Sequence, residues 1–259
     1  MLNYSVAELR SMIPKIIHYC WLSNDPIPDD LKKCMNSWKE KLPDYEVMLW
    51  NFDRFPKTKS QWVSDAFDNK KYAFAADYIR LNALYNYGGI YLDMDVEVLK
   101  SFDPLLELHT FVCWQKEMSG LEVAAFGSEK HAEWLKDCLS YYKNRPFIKN
   151  NGSFDTKVLP TIVEDELRNH GYDLVNCSSL TEAKMIENTH KIPVFPCEYF
   201  SPKSYKTGKI EVTDNSYSIH HFAGAWLEVP KYEEIETKFW KLFGLKNLNI
   251  INKIIWRFK

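Results

Sequence analysis

Asp93 and Asp95 stand one residue apart at the end of the apolar run YAFAADYIRLNALYNYGGIYLDMDVEVL, residues 72–99. Two carboxylates this close repel each other unless something positive lies between them. A pair of hard oxygen ligands on one sheet edge suits a divalent cation, Mn2+ or Mg2+. Such a cation needs a further anionic partner, and a diphosphate is the usual one. The chemistry on offer is therefore a metal ion that carries a nucleotide diphosphate.

The spacing has a second use. Haloacid-dehalogenase-type phosphatases place Asp-x-Asp-x-Thr/Val after an apolar strand, with the first aspartate as nucleophile. Here the fifth position is Glu97, and no downstream lysine and acidic motif completes the pattern. Both departures count against a phosphatase.

The elements around the pair read as alternating strands and helices. KIIHYCWL (15–22), bounded by Pro14 and the turn-rich SNDPIPDD, reads as a buried strand. DDLKKCMNSWKEKLP reads as a helix that starts on aspartate and stops at Pro43, YEVMLWN as a strand and KSQWVSDAFDNK as a helix. In FAADYIRLNALYNYGG, Phe74, Tyr78, Leu81 and Tyr85 recur at helical spacing, and Gly88–Gly89 end the helix. IYLDMDVEVL then alternates with period two. A continuous strand there would put Tyr91, Asp93, Asp95 and Glu97 on one side and Leu92, Met94, Val96 and Val98 on the other. This order predicts an α/β sheet with parallel central strands and a ligand at its C-terminal edge. Further on, TFVCWQ and GLEVAAFG read as strands, SEKHAEWLKDCLSYYKN and TKVLPTIVEDELRNHG as helices, KIPVFPCEYFSP as an irregular, proline-broken segment, and SYSIHHFAGAWLE as a late strand and turn.

Composition narrows the class without choosing the chemistry. The 259 residues, 46% apolar and 26% charged, describe one large globular domain, alone or with a smaller appendage. A net charge of −2 gives no general attraction to nucleic acid. Six scattered cysteines show no zinc spacing and read as reduced thiols. No signal peptide or membrane span is evident, so a cytoplasmic protein is expected.

Three segments in order, KIIHYCWLS, ADYIRLNALYNYGGIYLDMDV and IHHFAGAW, resemble the DxD glycosyltransferases of family 32. That family includes yeast Och1-type mannosyltransferases and bacterial capsular and lipopolysaccharide sugar transferases. The first two segments are also similar to the catalytic domain of the large clostridial glucosylating toxins. The resemblance covers roughly residues 13 to 228 and implies a GT-A-type α/β domain over 1–230. Residues 13–100 would be its Rossmann-like donor-binding half and 101–230 its acceptor half.

The resemblance also implies roles. Trp21 would stack on the nucleotide base, Asp77 would bind sugar hydroxyls, and Arg80 would contact sugar or phosphate. Tyr91 would line the donor pocket. Asp93 would bind ribose or sugar hydroxyls and reach the metal through water, and Asp95 would ligate the metal directly. His220 or His221 would supply a further ligand, His220 being the better candidate. Trp226 would close over the leaving diphosphate, although many relatives have serine before it where this chain has Ala225. Asn151 and Gly152 are candidates for donor contacts. Similar enzymes retain the anomeric configuration, and front-face substitution is then the default.

The expected activity is a metal-dependent retaining hexosyl transfer from a nucleotide sugar to a glycan acceptor in bacterial surface polysaccharide synthesis. A UDP-hexose is the favoured donor, with N-acetylhexosamine donors and GDP-mannose still open. A toxin-like protein glycosyltransferase and a non-catalytic sugar- or nucleotide-binding module are the alternatives. The tail, residues 231–259, reads as a basic amphipathic helix that either packs on the domain or lies on the inner face of a membrane. In the second case the acceptor would be lipid-linked.

Overall fold

The computed structural model describes residues 13–116, 120–186 and 190–224. The described residues up to Ala223 belong to one compact unit. Ala225, Trp226 and the expected tail helix lie outside the described residues.

In chain order the first elements are β1 (Ile16–Cys20), α1 (Asp29–Lys41), β2 (Glu46–Trp50), α2 (Gln61–Asp68), α3 (Tyr72–Tyr87), β3 (Gly89–Leu92) and β4 (Val96–Val98). There follow β5 (Thr110–Trp114), β6 (Leu121–Ser128), α4 (Glu133–Ser140), α5 (Leu159–Asn169), β7 (Asp173–Asn176), α6 (Leu180–Ile186), β8 (Lys191–Phe195) and β9 (Ser218–His220). Seven strands form one sheet in the order β2-β1-β3-β6-β5-β8-β7, and β4 pairs with β9 in a separate two-stranded ribbon. The mixed α/β architecture with a central sheet is the one expected from the sequence.

Three local expectations are corrected. The middle of the sheet is not all parallel, because β6 runs antiparallel to both its neighbours, β3 and β5. The proline-broken segment contains β8, whose pairing with β5 begins at Val194, just past Pro193. IYLDMDVEVL is not one strand. It leaves the large sheet after Leu92, turns at the aspartates, and re-enters strand geometry at Val96 in the ribbon.

Helices cover both faces of the sheet. One apolar cluster joins α2, α3, α4 and α5 to residues such as Trp50, Tyr91 and Phe126. The other joins α1, the ribbon and α6 to Ile17, Ile90 and Leu92. Alternate residues of β3 therefore enter opposite clusters, as strand pleating requires.

The helix that carries Asp77 and Arg80 is itself central. Ala75, Ala76, Ile79, Leu81, Ala83 and Leu84 of α3 are all buried, so apolar residues surround most of its circumference. It ends on Gly88 at φ 66°, and Gly89 follows at φ 105°, both in the left-handed region. A Cβ on Gly88 would lie 2.7 Å from the Lys130 nitrogen, and one on Gly89 would lie 2.6 Å from the Ile16 carbonyl oxygen. Glycine alone allows α3 to pass into β3 with a single intervening residue. That tight joint fixes α3 against the strand that leads to Asp93.

Candidate functional site

The two aspartates occupy a turn between sheets. The Asp93 N–H donates to the Ala124 carbonyl at 2.7 Å, the last rung between β3 and β6. The Val96 N–H then donates back to the Asp93 carbonyl at 3.0 Å, which closes the turn over Met94 and Asp95. Beyond it, Val96 is held by the buried Trp38 indole of α1, whose Nε1–H donates to the Val96 carbonyl at 2.7 Å.

The ribbon brings in the late histidines. Val96 is in register with His220, Glu97 with Ile219 and Val98 with Ser218. The His221 N–H donates to the Asp95 carbonyl at 3.0 Å, and the Ala223 N–H donates to Asp95 Oδ2 at 2.8 Å. His220 Nε2 lies 3.5 Å from the same Oδ2. Asp93, Asp95 and His220 each offer a ligand atom within 4.8 Å of the others. His221 is turned elsewhere, with its Nε2 2.8 Å from Glu97 Oε2.

A cation fits this donor set. Ligand atoms about 2.1 Å from a Mg2+-type ion lie about 3.0 Å apart when adjacent and about 4.2 Å when opposite, a span that small side-chain rotations would reach here. The local electrostatics favour positive charge as well. Burial works against a charged His220, yet the Glu122 and Asp95 carboxylates outweigh it and push its pKa up to about 10. Burial would likewise raise Asp95, but the hydrogen bond and charge of His220 and the Ala223 N–H bring it below the usual carboxylate range. Asp93 is raised, by burial first and then by the Asp95 charge, against the pull of Arg80.

Behind the turn lies a charged group supplied by α3. Asp77 and Arg80 are buried, at 8% and 7% exposure. Arg80 Nη2 is 3.3 Å from Asp77 Oδ1 and 3.3 Å from Asp93 Oδ1, and its Nη1 donates to the Val123 carbonyl at 3.0 Å. The guanidinium carbon sits 4.5 Å from the centre of the Tyr91 ring, and the Tyr91 hydroxyl donates to Asp93 Oδ1 at 3.0 Å. Burial pushes Asp77 up to about 7, with Arg80 opposing. Asp77, Arg80, Tyr91, Asp93, Asp95 and His220 thus form one connected group.

Other candidates stand apart from it. Trp21 follows β1, half-buried, and its Nε1–H donates to the Asp25 carbonyl at 2.9 Å. Asn151 and Gly152 occupy an exposed turn, where Asn151 Oδ1 accepts from the Ser153 N–H and hydroxyl. Neither Trp21 nor Asn151 has a hydrogen bond to the aspartate turn. All six cysteines are free thiols.

Glu122 was missed by the sequence reading. It lies on β6, whose eight residues are all buried, and its Oε2 is 3.3 Å from His220 Nδ1. A lone carboxylate in an apolar strand was the available signal, since such groups are rarely buried without a partner.

Residues 28–112 match the family described as a glycosyltransferase sugar-binding region containing the DXD motif. The match takes in α1 through most of β5, including Asp77, Arg80, Tyr91, Asp93 and Asp95. Over these residues the chain is similar to that family. It is 39% identical over 157 residues to inositol phosphoceramide mannosyltransferase 3 of Schizosaccharomyces pombe, covering 59% of this chain and 43% of that protein. It is 36% identical over 115 residues to the mannosyl phosphorylinositol ceramide synthase SUR1 of Saccharomyces cerevisiae, covering 43% and 30%. The chain spans less than half the length of these relatives. Among solved structures, PaToxG glycosyltransferase is similar with a TM-score of 0.47 and 17% identity over 62% of this chain and 70% of that one. The sequence pointed to yeast Och1-type mannosyltransferases together with bacterial sugar transferases and glucosylating toxins, and these two relatives are fungal proteins named for mannosyl transfer.

Proposed function

We propose that the protein is a divalent-cation-dependent retaining glycosyltransferase of the GT-A type, moving a hexose from a nucleotide diphosphate sugar to an acceptor hydroxyl. The observation that carries this reading is the meeting of Asp93, Asp95 and His220 at one turn, with Asp77 and Arg80 directly behind it. Asp93, Asp95 and His220 would hold Mn2+ or Mg2+. When bound, the ion would neutralise the diphosphate and polarise the departing phosphate oxygen.

The chain's own groups divide the remaining work. Arg80 clamps Asp93 and faces the donor with a fixed positive charge. Asp77, whose carboxyl is poised near neutrality, offers both a donor and an acceptor to sugar hydroxyls. Trp21 supplies an indole for the base. In the transfer the acceptor oxygen bonds to the anomeric carbon as the bond from that carbon to the diphosphate oxygen breaks. The acceptor's proton passes to the leaving phosphate on the same face.

The names of the two fungal relatives support mannose as the hexose and an inositol-phosphate lipid headgroup as an acceptor class. GDP-mannose therefore joins the UDP-hexoses as a donor to test, and a lipid headgroup joins a bacterial surface glycan as the acceptor. A cytoplasmic enzyme working at a membrane face goes with either acceptor.

The test is donor hydrolysis and binding across UDP- and GDP-sugars, with Mn2+ or EDTA, on wild type and Asp95→Ala. Cation-dependent turnover of one donor, lost in the variant, is the expected result. A folded protein that binds no nucleotide sugar would sink the reading.

A further inference from the structure

Glu122 has no place in the metal-and-donor constellation just described, yet it is among the most deeply buried charged groups of the chain, at 3% exposure. Its Oε1 accepts the Ala124 N–H at 2.9 Å, and its Oε2 lies 3.3 Å from His220 Nδ1. The other ring nitrogen, Nε2, faces Asp95 Oδ2 at 3.5 Å. One imidazole is therefore strung between two carboxylates, one from β6 and one from the turn between β3 and β4. Phe222 packs against the ring with centroids 4.1 Å apart. The ring is held at both nitrogens and by an aromatic neighbour.

A ligating imidazole has to present a lone pair from one nitrogen, and the partner of the other nitrogen decides which one. We propose that Glu122 is a positioning residue for His220: it accepts the Nδ1–H and so commits Nε2 to a cation held by Asp93 and Asp95. The inference rests on the metal reading of the site and assigns Glu122 no contact with the ion. Ala124 is part of the device. Because its N–H fixes Oε1, the carboxylate cannot rotate, and Oε2 remains aimed at the ring. Glutamine cannot do both jobs, since its single oxygen would have to serve either Ala124 or His220. The amide N–H2 would then face the other donor.

The test is Mn2+ binding to the full chain, read from the paramagnetic resonance signal of free Mn2+. It compares wild type, Glu122→Gln, His220→Ala and the double variant. Glu122→Gln is expected to weaken Mn2+ binding 10- to 100-fold, the range typical of such outer partners. In the His220→Ala background the same substitution is expected to change nothing, because its effect passes through the ring. A folded Glu122→Gln protein with wild-type Mn2+ affinity overturns the proposal, and so does full additivity in the double variant. Should Glu122→Gln fail to fold, Glu122→Asp keeps the charge, withdraws it by one methylene and carries the same cycle. No Mn2+ binding by wild type overturns the metal site and this proposal together. Coupled Mn2+ binding with no nucleotide-sugar turnover leaves the proposal standing and removes the transferase reading alone.

Discussion

Arg80 lies between Asp77 and Asp93, with one terminal nitrogen, Nη2, 3.3 Å from a carboxylate oxygen of each. The three charges come from one turn of α3 and from the end of β3, and the Gly88–Gly89 joint fixes them against each other. One guanidinium thus restrains both the carboxylate assigned to the sugar and the first carboxylate of the DxD pair.

Arg80→Ala is expected to destabilise the fold by roughly 3 kcal/mol, because it takes the guanidinium away from the buried Asp77 and the half-buried Asp93. Adding Asp77→Asn should restore part of the loss. Urea unfolding of the single and double variants measures both, and a single variant as stable as wild type would refute the account.

The two adjacent histidines are expected to separate cleanly. His220→Ala should weaken Mn2+ binding by at least roughly one to two orders of magnitude, since it removes a ligand and loss of an outer partner already costs that much. His221→Ala should leave it within about threefold, since that ring is engaged by Glu97. Calorimetric titration with Mn2+ decides, and a reversed order would move the metal site.

Gly89→Ala is expected to cost roughly 2–3 kcal/mol, because at φ 105° the new methyl meets the Ile16 carbonyl. As the strain sits at the root of β3, metal affinity should fall along with the melting temperature. A variant that melts like wild type would show that the joint can relax.

His18 gives a pH signature. It is fully buried, its Nδ1 accepts the Trp50 indole N–H at 3.0 Å, and its Nε2 donates to the Gly88 carbonyl at 2.7 Å. Burial, only partly offset by the Gly88 bond, lowers its pKa to about 4. The unfolded chain protonates this group first, so its stabilising contribution is whole above about pH 6.5 and is lost as the pH falls towards 4. Asp77 and Asp93, both raised, pull the other way over part of that range, so the informative quantity is a difference. The stability gap between wild type and His18→Gln should narrow by about 2–3 kcal/mol between pH 7 and pH 4.5. A gap that is flat with pH would refute the assignment.

The helix, the paired glycines and the DxD were all legible in the sequence, because each is a local signal of composition or spacing. The turn at Asp93–Asp95 was not. Its flanking residues keep a period-two burial pattern through Val98, which imitates one strand although the chain changes sheets. Nor could spacing decide between His220 and His221, since the choice depends on the register of β9 against β4. That register pairs residues more than a hundred positions apart. Glu122 was hidden for the same reason, because its partner arrives from another sheet.

Backbone pairing, and not chelation, delivers the third ligand of the site. The ladder from Val96 to His220 and the Ala223 N–H on Asp95 are formed by the polypeptide itself. If the site takes a cation as proposed, folding and metal loading would be separable events, unlike in zinc fingers, where the ion creates the fold. Stripped by chelator the protein should keep its native circular dichroism and cooperative melting, and it should recover the ion without refolding.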